Sequence, residues 1–278
     1  MTRRVVVLGL DGLEASIVEK YRFPNLCQVE HGRVKVPICP HAGEPSTPVV
    51  WMSFLTGKPP KEHGIDRSVI YSNPFIDFVF RHIQNSTMRR FVLKFNRVRR
   101  FLESHGFLKK RMPRKSELKA STLLDAITPS IGIDIPVLHK DVDIKYAGLI
   151  DAILGKNRDE YLAFLFRDFA DVKNRLFKAL NMNYRFVMAH FSITDLYGHI
   201  FCKDESMVAG LYWVMDSLTR QVSQTLKRED LLLIVSDHGI NREYGHTPYG
   251  FYSVNHKLGL SNPDITDFYN IILEWCKR

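Results

Sequence analysis

The apolar run Leu231 to Val235 ends in Ser236-Asp237-His238-Gly239, so one short segment delivers a carboxylate and an imidazole side by side. Two other apolar runs also end on a carboxylate. The run from Val5 to Leu10 stops at Asp11-Gly12, and "YRFVMAHFSITD" (184–195) stops at Asp195. His199 follows Asp195 by four residues, a spacing that puts both side chains on one face of a helical turn. His246 arrives in "EYGHTPYG", shortly after His238. Carboxylates gathered at one place repel one another and lose hydration unless cations balance them. Adjacent and four-residue Asp/His pairs offer the mixed oxygen and nitrogen donors that suit two divalent metal ions.

Thr47 adds what ligands alone lack. Ser46-Thr47 before Pro48 reads as a helix start, with Thr47 at the N-cap and Pro48 at the first helical position. A helix N-terminus favours an anion. Coordination to a divalent ion lowers a hydroxyl's pKa and makes it a nucleophile. Ser236 is expected to fix its strand end, and His63, in the tight "HGI" turn (63–65), to be structural. His31, His41, His82, His105, His139 and His190 have no partner in the sequence and are read as surface or packing residues.

The elements that must position these groups alternate. Strands are expected from the second arginine of "RRVVVLGL" to Leu10, over 130–137, over 184–195 and over 231–235. Helices are expected from Thr47 to the Gly57 stop, over 121–127, across most of 144–181, and over 203–228. This alternation predicts an α/β fold, a central mainly parallel sheet with helices on both faces. In such a sheet the C-terminal strand ends line one edge, where ligands bind. All 278 residues are read as one α/β domain, with a basic helical inserted cap at about 71–119.

The net charge of +9 sits in one place: residues 81–119 hold 13 Lys/Arg against Glu103 and Glu117, so the remainder is slightly acidic. A solvated helical face, a lid that attracts phosphate-rich substrate, and contact with an anionic surface are all open for that stretch. No nucleic-acid-binding motif is present, which makes nucleic acid an unlikely partner. Four scattered cysteines without a C-x-x-C pair are neither a disulfide framework nor a thiolate site, and they suit a reducing cytoplasm. The N-terminal apolar run is interrupted by Asp11 and has no small-residue cleavage site, and no stretch reaches the roughly 18 apolar residues of a membrane span. A cytoplasmic location is expected.

Taken together, Asp11 after a strand, Thr47 nine residues before Thr56-Gly57, "HGI", "DLYGH" and "SDHGI" resemble the alkaline phosphatase superfamily, in its type I phosphodiesterase/nucleotide pyrophosphatase branch. The resemblance spans residues 3–70 and 120–250, and five motifs in the right order carry it. It implies a hydrolase with two divalent ions, zinc first and manganese or magnesium as alternatives. Asp11, Thr47, Asp237 and His238 would hold one ion; Asp195, His199 and His246 would hold the other, with His256 as the fallback for His246. Thr47 would attack phosphorus in a small-molecule phosphate ester and form a covalent phospho-threonine intermediate. Nucleotide-cleaving relatives usually carry an Asn five residues after the His of "HGI"; here that position is Ser68, and Arg67 or Lys58 is the expected compensating substrate-binding group.

Three readings follow for the activity: a phosphodiesterase or pyrophosphatase, a phosphomonoesterase or phosphotransferase on the same site, and a non-catalytic metal-binding module. The absence of a C/S-x-P-x-R pattern argues against a sulfatase.

Overall fold

The computed structural model describes residues 3–39, 42–71, 110–139, 145–146, 148–243 and 245–277. Strand β1 (Val5–Leu10) is followed by α1 (Ala15–Tyr21) and β2 (Glu30–Lys35). Next come α2 (Thr47–Thr56), α3 (Pro60–His63) and the short β3 (Ile70–Tyr71), which pairs antiparallel with β4 (Lys110–Arg111). The chain continues through α4 (Leu123–Ala126), β5 (Ser130–Ile133), α5 (Leu149–Ile153), α6 (Arg158–Leu180), β6 (Phe186–Phe191) and α7 (Ile193–Phe201). It ends with α8 (Glu205–Ser223), β7 (Leu231–Ser236), β8 (Tyr249–Val254) and α9 (Asp267–Lys277).

Six strands form one sheet in the order β2-β8-β7-β1-β6-β5. β5, β6, β1 and β7 run parallel, while β8 pairs antiparallel with β7 and β2 antiparallel with β8. The fold is therefore α/β with a mainly parallel sheet. β1, β6 and β7 are buried along their whole length. Alternate residues of these strands face two cores, because successive side chains on a strand point to opposite faces. Val6, Leu8, Val187, Ala189, Leu232 and Ile234 pack with α1, α6, α7 and α8. Val5, Val7, Phe186, Met188, Leu231 and Leu233 pack with α2 and α9.

Three local expectations are corrected. The helix over 47–56 takes Ser46 as its N-cap, so Thr47 occupies the first helical position and Pro48 the second. β5 stops at Ile133, short of 137, because Asp134 turns to a positive φ of 57° and makes ion pairs with Lys145 and Arg175. β6 stops at Phe191, so Asp195 lies in the first turn of α7 and not on a strand. The expected insert at 71–119 lies almost wholly outside the described residues. Its described end comprises β4 and a single 3-10 turn at Lys115–Glu117.

Candidate metal centre and nucleophile

Parallel register brings the three carboxylate-bearing segments to one sheet edge. Leu10 pairs with Phe191 and Gly9 with Val235, so the turns after β1, β6 and β7 emerge together. The turns are cross-braced: Asp11 N–H donates to Phe191 O at 3.1 Å, and Leu13 N–H donates to Ser236 Oγ at 2.9 Å. Ser236 Oγ donates in turn to His238 O at 2.6 Å, the strand-end role expected of it. Gly12 adopts φ +68° and passes so close to Asp195 that an added Cβ would lie 2.8 Å from the Asp195 Cα. Only glycine fits there without strain.

Helix α2 comes to this edge from the other side. All ten of its residues are buried, and the benzo end of the Trp51 indole abuts Gly9, where a Cβ would meet it at 2.9 Å. That docking places Thr47 Oγ1 3.3 Å from Asp11 Oδ1 and 3.3 Å from His238 Nε2. His63 steadies the same helix. Its Nδ1 accepts from Ile65 N–H at 3.2 Å, so the neutral ring donates from Nε2 to Ser53 Oγ at 3.0 Å. Burial pushes its pKa down to about 4.

The donor atoms form two overlapping groups, each within 4.8 Å: Asp11, Asp237 and His238, and Asp195, His238 and His246. His238 belongs to both. His199 Nε2 adjoins the second group, 3.3 Å from Asp195 Oδ1 and 3.3 Å from His246 Nε2. The imidazoles of His246 and His238 each turn Nδ1 toward a backbone carbonyl: His246 to Pro45 O at 2.9 Å and His238 to Gly239 O at 3.3 Å. Such an anchor fixes the tautomer and leaves Nε2 with its lone pair facing inward.

Several observations show that these residues fit divalent cations. Asp195 Oδ1 and Asp237 Oδ2 are buried with no well-aligned hydrogen bond; each only approaches an imidazole Nε2, of His199 at 3.3 Å and of His238 at 3.2 Å, a poorly compensated state for an anion. His199 Nε2 and His246 Nε2 approach each other at 3.3 Å, two imidazole donor atoms directed at one place. Burial, reinforced by the charges of Asp237 and Asp195, pushes Asp11 well above the usual carboxylate range. Burial also favours the neutral form of Asp195, but the charge of His199, aided by His238 and His246, outweighs it and holds Asp195 below that range. Burial lowers His238, against the pull of Asp237. For His199, burial works downward but Asp195 wins and raises it. Metal-free, the cluster has to keep protons that cations would replace.

All seven residues expected to hold ions, Asp11, Thr47, Asp195, His199, Asp237, His238 and His246, are thus brought to one place. The remaining expectations are not. Lys58 follows the C-terminal end of α2, the opposite end of that helix from Thr47, and its ammonium lies 3.7 Å from Glu62. Arg67 pairs with Asp66 at 3.0 Å and, with Gly64, Ile65 and Lys119, lines a separate cavity of about 270 Å³. Ser68 is half-buried in the adjoining loop. His256 contacts Asp230 O at 3.0 Å and the Trp275 ring, at the start of β7 and so at the far edge of the sheet.

Two site residues escaped the sequence reading. His190 is no surface residue: on β6, fully buried, it brings Nε2 within 3.2 Å of Asp11 Oδ2. Burial drops its pKa to about 4. A lone imidazole inside the apolar "FVMAHF" was the available signal. Tyr146 donates its hydroxyl to Asp11 Oδ2 at 3.3 Å and lies beside Thr47. Nothing in its local sequence marks it.

The family model for type I phosphodiesterase / nucleotide pyrophosphatase matches residues 5–258. No curated protein was found to match the chain. Among solved structures, the PH0037 protein from Pyrococcus horikoshii is similar with a TM-score of 0.51 at 13% identity, over 100% of this chain and 98% of that one. Human ectonucleotide pyrophosphatase / phosphodiesterase 5 gives 0.50 at 13% identity over 86% and 57%, and the murine protein 0.48 at 13% over 86% and 58%. The chain thus spans little more than half the length of those two mammalian structures. At these identities the likeness concerns the fold.

Proposed function

Because the chain belongs to the type I phosphodiesterase / nucleotide pyrophosphatase family, we propose that it is a metal-dependent phosphohydrolase that cleaves a phosphodiester or pyrophosphate bond in a small-molecule phosphate ester. One observation carries the reading: the Thr47 hydroxyl, at the first position of a buried helix, lies 3.3 Å from both Asp11 and His238 within a set of Asp and His donors built for cations.

Asp11, Thr47, Asp237 and His238 would hold one divalent ion, and Asp195, His199 and His246 the other, with His238 close enough to serve both. Zinc suits this mixture of imidazole and carboxylate donors, and manganese or magnesium would follow. Bound there, the ions would supply positive charge for the attacking and leaving oxygens.

The protein's own groups do the rest. Thr47 Oγ1 forms a bond to phosphorus as the bond to the leaving oxygen breaks, and its proton is directed at Asp11 Oδ1. Water then attacks the phospho-threonine, breaks the Oγ–P bond and restores the hydroxyl. α2 places Thr47 where the helix N-terminus favours the developing anion. We take residues 1–278 as one α/β domain with the 71–119 stretch inserted, and the separated free cysteines as suited to a reducing compartment. Among the described residues no helix is long and apolar enough to cross a membrane.

The test is turnover of bis(p-nitrophenyl) phosphate against p-nitrophenyl phosphate with Zn²⁺, Mn²⁺ or chelator. Diester cleavage should require metal, and Thr47→Ala should lower kcat on the order of 10³-fold or more. Absence of turnover with either substrate and every metal would overturn the enzyme reading. Metal binding that survives Thr47→Ala in a protein that never turns over would favour the non-catalytic module.

A further inference from the structure

Asp11 has two oxygens in different surroundings. Oδ1 faces Thr47 and His238, the reacting side. Oδ2 faces away from them, toward Tyr146 Oη at 3.3 Å and His190 Nε2 at 3.2 Å. The Tyr146 phenol also lies beside the Thr47 side chain. One hydroxyl therefore bonds the carboxylate and adjoins the nucleophile.

Tyr146 is itself held from behind. Its neighbour Lys145 is buried, with an ammonium between Asp134 and Asp168, the latter at 2.7 Å. Arg175 closes the other oxygen of Asp134 at 2.9 Å. Tyr161 Oη, from α6, donates to the Lys145 carbonyl at 2.6 Å. A buried ion cluster of this kind stabilises little against an apolar replacement, but it fixes geometry. It anchors the Lys145-Tyr146 backbone to the end of β5 and the flank of α6.

We propose that Tyr146 is a positioning residue that fixes the carboxylate plane of Asp11 and the rotamer of Thr47, so that one Asp11 oxygen and the Thr47 oxygen share a single cation. This rests on the metal-centred reading above. Thr47 has three staggered χ1 positions, and only those that turn its oxygen to Asp11 serve the site. A carboxylate free to swing could likewise present either oxygen, or both. The phenol removes both freedoms at once, which is the work expected of groups behind metal ligands.

The experiment compares wild type with Tyr146→Phe, which keeps the ring and deletes the hydroxyl. Mn²⁺ and Co²⁺ binding would be followed by titration calorimetry and by the visible spectrum of the Co²⁺ form, alongside thermal melting and steady-state kinetics. The expected result is two ions in both proteins, with roughly tenfold weaker affinity for one ion only in the variant. The Co²⁺ spectrum should change for that ion, and kcat should fall with KM little altered. A merely structural tyrosine would lower the melting temperature and leave affinities and spectrum alone.

If Tyr146→Phe does not fold, Tyr161→Phe, which loosens the Lys145 carbonyl from outside the site, should give the same one-ion loss in weaker form. Wild-type protein that binds two ions while a folded variant binds them identically overturns the positioning role and leaves the metal centre standing. Wild-type protein that binds no ion overturns both.

Discussion

The imidazoles of His238 and His246 lie stacked, their centroids 3.8 Å apart and their planes within 11° of parallel. Each is tethered by Nδ1 to a backbone carbonyl. Both rings present Nε2 to the same space, as ligands of neighbouring cations would. His238 also belongs to both donor groups, whereas His246 belongs to one. His238→Ala should therefore weaken both ions by about 100-fold or more, and His246→Ala only one, by analogy with the cost of disturbing ligand shells. Metal stoichiometry after dialysis, with calorimetric titration, distinguishes these outcomes. Equal loss in the two variants would show that the groups are not shared in this way.

The contact between Gly9 and Trp51 predicts a remote effect on the nucleophile. Gly9→Ala pushes a methyl group against an indole that is fully buried and has nowhere to go. Overpacking of this kind costs about 1–3 kcal/mol. Because Trp51 sits one turn along α2 from Thr47, the variant should also lose kcat more than it raises KM. Urea unfolding and steady-state kinetics check the two halves separately, and an unchanged kcat would mean that α2 is not held by this contact.

The Lys145 cluster predicts a loss of stability. The carboxyl groups it joins respond in opposite directions. Burial favours the neutral form of both, but Lys145 and Arg175 together pull Asp134 below its ordinary value, while Asp168, which among the described residues pairs with Lys145 alone, stays raised. Lys145→Met leaves Asp168 with no cation and Asp134 with Arg175 alone. Breaking one side of a buried pair costs about 3 kcal/mol, readable as a lower denaturant midpoint with an unchanged slope. Near-wild-type stability would mean that water reaches the two carboxylates.

His63 gives the chain a pH dependence away from the metal site. Its imidazole takes up a proton near 6.5 in the unfolded chain but only near 4 in the fold. The unfolded state thus binds more protons between those values, so stability is full above pH 6.5 and falls as the pH drops toward 4. The loss is about 3 kcal/mol. Unfolding measured in chelator for wild type and His63→Gln should show the slope in the first and a flatter curve in the second. Parallel curves would remove His63 as the cause.

Much of this site could be read from the sequence because its parts sit at the ends of strongly apolar strands. β1, β6 and β7 are buried on both faces and read as continuous apolar runs, and each delivers its motif at a turn. β2 gives no such signal: "EHGRVK" has mostly partly or fully exposed residues and gains strand geometry from pairing with β8. Asp195 looked like a strand end because Phe191, Ile193 and Leu196 prolong the apolar pattern through a turn into α7. Lys58 was near Thr47 in sequence but is separated from it by the length of a helix, roughly 15 Å at 1.5 Å per residue. His190 has no partner near it in sequence because its neighbour, Asp11, follows another strand. Tyr146 reaches the site only through tertiary anchoring of the residue before it. The expected cap lies outside the described residues.

The turn after β1, the start of α2, the first turns of α7 and the loop beyond β7 are separated by long stretches of chain, and each contributes a donor atom to one small volume. No fragment lacking any of these four can assemble the constellation, whatever its local order. A divalent ion that needs all four would therefore be captured only after the central sheet has closed.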